Sequence, residues 1–304
     1  MVLKTAQALV LLLAATACAQ TPVASSPAAV SGEKAMEHVR AQVAFGPRPP
    51  GSEALVRCRA YLVQQLESWG YKVEDDAFDA ATPYGTKKMH NLIARRAGAA
   101  SPKGAIVLAS HYDTKYFPKG NFVGANDGGS STGLLLELAR VLAAKSDGVD
   151  LWFVFFDGEE AFIEWSTFDS TYGSRHLAAR WKQDRTADRV RAFILLDMIG
   201  DRDLLLNRES NSTPWLREIV WNTAREIGLG AITAGMEGAI GDDHVPFLDV
   251  GIACVDLIDL DYGPGNSYHH QETDTLDKVS AESMEKVGRL VLAVLPKLQK
   301  KFER

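Results

Sequence analysis

Two adjacent carboxylates, Glu159 and Glu160, follow shortly after six consecutive apolar residues at 151–156. Such a short run, rich in strand-forming residues, predicts a buried strand of a covered sheet. Open α/β sheets bind their ligands at the carboxyl ends of the strands. Neighbouring side chains that leave a strand point in different directions, so one carboxylate could hold a metal while the other moves protons. An ordinary acidic turn is the alternative for this pair taken alone.

Other residues of metal-binding type also follow predicted strands: His111 after 105–109, Asp127 in the glycine-rich loop 123–129, Asp197 after 192–196, and His269 and His270 after 252–258. Each has an ordinary alternative when taken singly. His111 could be a polar side chain with its hydrogen bonds satisfied, Asp127 a helix cap and Asp197 the end of a strand. The two adjacent histidines could lie in a solvated loop. The convergence of all these residues on one edge of a sheet would instead indicate a metal site. Two imidazoles with carboxylates and no thiolate suit a catalytic zinc that keeps an open position.

Four further residues could belong to the same site. Asp113 lies two residues beyond His111 and could orient its imidazole as a partner outside the metal's own ligands. Asp242, Asp243 and His244 could line the same cleft. For Asp243 and His244, a helix cap in front of the next apolar residues is the open alternative.

The elements that must position these residues alternate along the chain. Helical spacing predicts helices at 35–43, 55–66, 131–144, 174–181, 214–227 and 281–300, and extended segments are predicted at 71–78, 89–95, 105–109, 151–156, 192–196 and 252–258. Strands that alternate with helices predict a three-layer α/β fold, with a mixed, mostly parallel sheet covered by helices on both faces. Because we find no internal repeat and no second core, we expect one catalytic domain at 31–304.

The amino-terminal residues indicate export. Residues 1–17 combine Lys4, an apolar run and small residues ahead of Cys18, which is typical of an export signal. Cleavage at the small residues and lipid attachment to Cys18, as in a bacterial lipoprotein, are both open. Residues 18–30, rich in Ser, Pro and Ala, predict a flexible spacer. We therefore expect a periplasmic or outer-surface protein, with membrane anchoring only through a lipidated Cys18.

Composition and charge exclude other classes of protein. The chain has 304 residues, of which 46% are hydrophobic and 24% charged, so it is neither disordered nor a membrane bundle. A net charge of -6 without a basic cluster argues against a nucleic-acid partner. Cys58 lies in a helical pattern and Cys254 in an apolar strand, so two buried free thiols are expected rather than a disulfide.

Five motifs resemble the zinc aminopeptidase family and occur between residues 110 and 275 in this order: SHYDT, GANDGG, FFDGEE, LLDMIGD and HHQETDT. Within that family, the chain is most similar to the glutaminyl cyclase branch. The branch-specific segment is DGEEAFIEWSTFDSTYGSRHLA at 157–178, supported by TPYG at 82–85, HYDTKYFP at 111–118 and GDDHVPFL at 241–248. The resemblance covers the chain after the signal and implies a zinc aminopeptidase-like fold.

The resemblance implies a set of metal ligands and a base. The cyclase zinc would be held by Asp127, Glu160 and His270. Glu159 would be the general base and acid. The related aminopeptidases use two zincs, and there His111 and Asp197 would bind the second ion while Asp127 bridges the pair. The number of zinc ions, one or two, therefore remains open.

The resemblance also implies a substrate pocket. Asp197 and Asp242 would form an acidic hydrogen-bond network beside the base, and Trp165 would wall the pocket for an amino-terminal glutamine side chain. His269 stands where the cyclases carry a tryptophan, so it is assigned to the same wall. Asp256 replaces a histidine of the cyclases, which bears on substrate preference rather than on the metal.

The resulting hypothesis is a zinc-dependent glutaminyl-peptide cyclotransferase, an acyltransferase that converts amino-terminal glutamine to pyroglutamate and releases ammonia. Its substrates would be the amino termini of peptides or proteins, and we expect a monomer. The first alternative is a zinc-dependent exopeptidase on the same scaffold, in which Glu159 activates a water molecule. The second is an exported binding protein with a degenerate site, against which the intact ligand set weighs.

Overall fold

The computed structural model describes residues 29–96, 101–143 and 148–302. The predicted export signal at 1–17, Cys18 and most of the predicted spacer at 18–30 lie outside these ranges. The helices are α1 (Gly32–Ala44), α2 (Glu53–Ser68), α3 (Gly129–Leu142), α4 (Tyr172–Gln183), α5 (Pro214–Glu226), α6 (Val245–Asp249) and α7 (Ala281–Phe302). The strands are β1 (Tyr71–Thr82), β2 (Gly85–Arg96), β3 (Ala105–His111), β4 (Asp150–Phe156), β5 (Val190–Asp197), β6 (Arg208–Glu209), β7 (Glu237–Gly238) and β8 (Cys254–Ile258).

The main sheet has the strand order β1-β2-β4-β3-β5-β8. Strands β4, β3, β5 and β8 run parallel to one another, whereas β2 pairs antiparallel with β4 and β1 antiparallel with β2. The four parallel strands therefore end at the same edge of the sheet. The predicted mixed, mostly parallel sheet is confirmed.

Helices cover both faces of this sheet. The side chains of its strands point alternately to the two faces, and each face packs against helices in its own apolar core. Ile106 and Leu108 of β3 belong to the larger core, which includes residues of α1, α2, α3, α5 and α7. Val107 and Ala109 belong to the second core, with α4 and α6. A strand that is buried on both faces has apolar residues at successive positions, which explains the continuous runs in the sequence. The predicted three layers are confirmed.

Some elements differ from their predicted bounds. The β1–β2 hairpin pairs from Tyr71 with Arg96 to Thr82 with Gly85, so it is longer than the predicted segments at 71–78 and 89–95. Its outer part carries many exposed polar residues and shows no apolar run. The two-residue strands β6 and β7 form a separate small sheet that was not predicted, because such short elements show no periodicity. The five-residue α6 was anticipated only by the alternative of a helix cap at Asp243 and His244.

The prediction of two buried free thiols is confirmed, since Cys58 and Cys254 are both buried and form no disulfide. Burial raises the pKa of the Cys58 thiol to about 11, which makes it unreactive at neutral pH. Within the described ranges, none of the helices has the length and apolar character needed to cross a membrane.

Trp181 provides a test of the core between the sheet and α4. It is fully buried, and its ring centroid lies 5.6 Å from that of Trp152 and 5.4 Å from that of Phe247. Trp181→Ala should lower the free energy of unfolding by about 3–5 kcal/mol, because it leaves a large cavity. Urea titration followed by circular dichroism measures this loss. Trp165→Ala is the matched control, since that side chain is 42% exposed, and equal losses in the two variants would contradict the packing.

Candidate active site

The carboxyl ends of the parallel strands bring the predicted metal-binding residues together. His111 is the last residue of β3 and Asp197 the last of β5, while the loop after β4 carries the paired glutamates. His111 Nε2 lies 3.3 Å from Asp127 Oδ1 and 3.2 Å from Asp197 Oδ1. The convergence predicted from the sequence is therefore observed.

Asp127, Glu160 and His270 face a common point. His270 Nε2 lies 3.4 Å from Asp127 Oδ2 and 3.2 Å from Glu160 Oε2. Asp127 Oδ2 and both carboxylate oxygens of Glu160 are buried without a hydrogen-bond donor among the described residues. Buried polar atoms without partners call for an unseen ligand, and two carboxylates with one imidazole are a donor set that fits zinc.

The two adjacent histidines both lie beside this point. His270 has a φ of +52°, a left-handed conformation that is costly for a residue with a side chain and is found mainly at functional sites. The His269 ring centroid lies 4.0 Å from that of His270, and one nitrogen of each ring lies within 4.8 Å of an Asp127 oxygen. Burial lowers the pKa of both imidazoles, which favours the neutral form that a metal ligand requires.

The residues assigned to a second metal also lie together. One ligand-type atom from each of His111, Asp127 and Asp197 lies within 4.8 Å of the others, and all three side chains are buried. Asp127 belongs to both groups through its two carboxylate oxygens. The geometry thus places ligands of the right type for either one ion or two.

Glu159 is held in place by its backbone rather than by its side chain. The Asp113 carboxylate accepts hydrogen bonds from Glu159 N at 3.2 Å and from Glu160 N at 3.4 Å, and it lies 3.5 Å from His111 Nδ1. Burial raises the pKa of the Glu159 carboxyl well above its usual range; the charge of His111 opposes this rise, and Glu160 adds to it. A carboxyl group in such surroundings is suited to accept and return a proton.

Asp242 is buried, and Trp165 packs against Gly241, the residue before it. The Asp242 carboxyl is buried, its Oδ1 accepts a hydrogen bond from Asp243 N at 2.5 Å, and burial together with Asp197 raises its pKa well above the usual range. The Trp165 indole lies close to Gly241, because a Cβ atom added to Gly241 would be 3.2 Å from Trp165 Nε1. Trp165 therefore covers the segment that leads into Asp242.

Sequence reasoning missed Arg48, which holds the loop in front of Asp127. Its guanidinium is fully buried and donates hydrogen bonds to Tyr112 O at 3.3 Å, Val123 O at 2.8 Å and Gly124 O at 3.2 Å. Arginine is rarely buried unless its donors are satisfied. The only signal in the sequence is one charged residue inside a Gly-Pro-rich stretch, and that signal does not reveal its partners.

Asp274 connects the loop that carries His270 to the loop that carries Asp127. Its carboxylate accepts hydrogen bonds from Asn126 N at 2.8 Å and Asp127 N at 3.1 Å, and from the Tyr262 hydroxyl at 2.8 Å. Burial and the charge of Asp127 raise its pKa to about 7. Asp274 follows His270 by four residues, so it fixes one loop against the other.

His244 does not cap α6 with its side chain. It occupies the residue before the helix, but its ring makes no cap hydrogen bond in the described part of the chain, and the side chains of Asp243 and His244 are fully buried. The capping alternative is therefore wrong for His244. Its ring belongs instead to a buried cluster behind Asp242.

The role of Asp274 can be tested by its removal. Asp274→Ala should weaken zinc binding by about 10- to 100-fold, because the backbone that carries Asp127 loses its anchor. Competition with a chromogenic chelator measures the affinity. Asp277→Ala, which removes an exposed carboxylate three residues away, is the control. Unchanged zinc affinity in the Asp274 variant would contradict the assignment.

Comparison with known proteins agrees with this geometry. Residues 91–295 match the family described as Peptidase family M28. Glutaminyl-peptide cyclotransferase of Drosophila melanogaster is 31% identical over 273 residues, which cover 81% of this chain and 75% of that protein. The crystal structure of an Acidobacteriales bacterium glutaminyl cyclase has a TM-score of 0.86 at 42% identity, covering 93% of this chain and 99% of that chain. For a Zn-dependent exopeptidase from Parabacteroides distasonis the TM-score is 0.78 at 27% identity, with 89% and 99% covered. These similarities confirm the resemblance found in the sequence, and the chain belongs to peptidase family M28.

Proposed function

We propose that this protein is a zinc-dependent glutaminyl-peptide cyclotransferase, which converts the amino-terminal glutamine of peptides or proteins to pyroglutamate and releases ammonia. The proposal is carried by Glu159, which directly precedes Glu160 of the group formed with Asp127 and His270, and whose Oε2 lies 3.9 Å from His111 Nδ1. The names of the relatives support cyclisation. The exopeptidase alternative is not favoured for the same reason, and the intact donor set gives no support to a binding protein with a degenerate site.

Zinc would be held by Asp127, Glu160 and His270; Asp127 Oδ2 and both Glu160 oxygens accept no hydrogen bond among the described residues, and His270 Nε2 faces them. The bound ion would supply a Lewis acid for the side-chain amide of the substrate. The family and the zinc-dependent structural neighbour support this choice of metal. Elemental analysis of the purified protein distinguishes one ion from two, and His111 with Asp197 would account for the second.

Glu159 is assigned the proton transfers of the reaction. The α-amine of the substrate forms a bond to the carbonyl carbon of its own glutamine side chain, and Glu159 accepts the proton that the amine loses. The bond from that carbon to the amide nitrogen then breaks, Glu159 returns the proton to the departing nitrogen, and ammonia leaves. The raised pKa of the Glu159 carboxyl suits both transfers. Asp197 and Asp242 would hold the reacting amide by hydrogen bonds.

The pocket contributes mainly by orientation, because the nucleophile and the reacting carbonyl belong to the same molecule. A flexible glutamine must be held in the conformation in which its amine reaches its amide, and water must be excluded. Trp165 and His269 would form the walls that impose this conformation. The position of Trp165 against Gly241 and that of His269 against His270 are compatible with that role.

We also propose that the enzyme is exported. The support is the signal pattern at 1–17, followed by a spacer that would separate the catalytic domain from the membrane if Cys18 carries lipid. Mass spectrometry of the mature amino terminus distinguishes a free terminus from a lipidated cysteine.

Glu159→Gln tests the proton transfers. The variant should fold and bind zinc, because the amide keeps the size of the carboxyl and the zinc ligands are untouched. Its kcat should fall by about 10²- to 10⁴-fold, which is the usual contribution of a general base. Mass spectrometry of a glutamine-initiated peptide, beside a leucine-initiated one, measures loss of ammonia.

The control for this experiment is Glu164→Gln, the same change at an exposed residue of the following loop. It should retain the activity of the unaltered enzyme. Normal turnover by Glu159→Gln would remove Glu159 from the mechanism. Release of a whole residue from either peptide would mean that the exopeptidase alternative is right.

Trp165→Ala tests the pocket wall. We expect KM to rise by about 10-fold with a smaller change in kcat, because a contact with the bound glutamine is lost while the reacting groups remain. Steady-state kinetics with a glutamine-initiated peptide measures both constants. Phe168→Ala in the same loop, where the side chain is 84% exposed, is the control. An unchanged KM would exclude Trp165 from the pocket.

A further inference from the structure

The loop that carries Trp165, residues 162–169, is not held by an apolar core. Residues 163–168 are all exposed, and they form neither a helix nor a strand. Exposed segments with few apolar contacts belong to the least stable parts of a protein. In the proposed function, however, Trp165 must form a defined wall of the substrate pocket. The loop therefore needs another source of rigidity.

The carboxylate of Asp169 closes this loop. It is 7% exposed, and it accepts three backbone hydrogen bonds: from Phe162 N at 2.9 Å, Ile163 N at 2.8 Å and Glu164 N at 3.1 Å. These three donors directly precede Trp165 in the chain. One buried side chain thus fixes the backbone up to the residue that bears the indole.

Ser166 holds the backbone on the other side of Trp165. Its carbonyl oxygen accepts hydrogen bonds from Asp169 N at 3.2 Å and from Ser170 Oγ at 2.8 Å. Its hydroxyl oxygen accepts a further one from Asp169 N at 3.1 Å. Trp165 therefore lies between two backbone segments that are both bonded to Asp169, so the direction in which the indole leaves the backbone is set.

Asp169 is itself anchored to the centre of the site. Its Oδ1 accepts a hydrogen bond at 2.8 Å from the hydroxyl of Tyr172, the first residue of α4. Tyr172 N donates to Gly158 O at 2.7 Å, and Thr171 N donates to Glu159 O at 2.6 Å. Burial raises the pKa of the Asp169 carboxyl, but hydrogen bonds from the backbone and from Tyr172 outweigh burial and lower it. The carboxylate is thus a charged acceptor of four donors at neutral pH.

We propose that Asp169 is a positioning residue, which fixes Trp165 in place as a wall of the substrate pocket before the substrate binds. The proposal rests on the proposed function, in which Trp165 contacts the bound glutamine. Asp169 acts through the backbone of the loop and does not touch the substrate. A wall that is already in place spares the complex the entropy cost of ordering a loop, so the contribution belongs to KM rather than to kcat.

Asp169→Asn tests the carboxylate. The change keeps the shape of the side chain but replaces one acceptor oxygen with an N–H donor, which would face the N–H groups of the loop. KM for a glutamine-initiated peptide should rise by about 10-fold, as expected for Trp165→Ala, while kcat stays within about threefold of the unaltered enzyme. Elemental analysis should find the same zinc content, because no proposed ligand is altered. A fall in kcat with an unchanged KM would overturn the proposal.

The double variant Trp165→Ala/Asp169→Asn shows whether one residue acts through the other. If Asp169 serves only to hold the indole, its loss has no further effect once the indole is gone. KM of the double variant should then match that of Trp165→Ala within about twofold, since changes at residues that act as a unit are not additive. Independent effects would multiply to about 100-fold, and that result would contradict the proposed role.

The matched control is Asp184→Asn, the same substitution at an exposed aspartate whose Oδ1 accepts a hydrogen bond from Thr186 N at 2.9 Å. It should leave both constants unchanged, and a rise in KM equal to that of Asp169→Asn would overturn the proposal. If Asp169→Asn does not fold, Tyr172→Phe takes its place, because it removes one of the four donors. KM should then rise by about threefold, and only while Trp165 is present. An unchanged KM in Tyr172→Phe would again overturn the proposal.

Failure of the proposed function gives a different result. The unaltered enzyme would then release no ammonia from the glutamine-initiated peptide. Failure of the role of Asp169 leaves that activity intact and removes only the shared effect on KM.

Discussion

The burial of acidic groups at the carboxyl edge of the sheet is the constraint on which this structure depends. Glu159, Glu160 and Asp242 are all buried there, and burial raises the pKa of each carboxyl. Charges of one sign in a region of low dielectric are stable only when cations, protons or hydrogen-bond donors compensate them. A zinc ion, the histidines and the retained protons together would supply that compensation. The same surroundings make the groups chemically useful.

The neighbouring glutamates show how position sets role. They leave the same turn and share one anchor, the Asp113 carboxylate, but their side chains enter different surroundings. Glu160 faces the His270 imidazole and lies 3.5 Å from Lys115 Nζ, so a metal-binding ring and a cation lie beside it. Glu159 lies nearer the acidic side of the site, where burial raises its pKa well above the usual range. One carboxylate is thereby suited to a metal and the other to a proton.

The loops of the site are held by backbone hydrogen bonds from buried side chains rather than by their own secondary structure. Arg48 binds the carbonyl groups ahead of Asp127, and Asp274 binds the N–H groups around it. Gly128, with a φ of +73°, lets this loop approach β3, since a Cβ atom there would lie 2.6 Å from Asp113 O. Rigid loops of this kind keep metal ligands in place before the ion binds.

The sequence by itself determined the three-layer sheet and the residues that converge on its edge, because apolar runs and helical spacing are local patterns and strand ends are where such sheets place ligands. Only the tertiary structure decided what Arg48 and His244 do, since each acts through partners that are distant along the chain. It also decided the positions of β6 and β7, whose two-residue length leaves no periodicity. Residue type and spacing indicate which groups can do chemistry, but the charge and orientation of each group depend on which others are buried beside it.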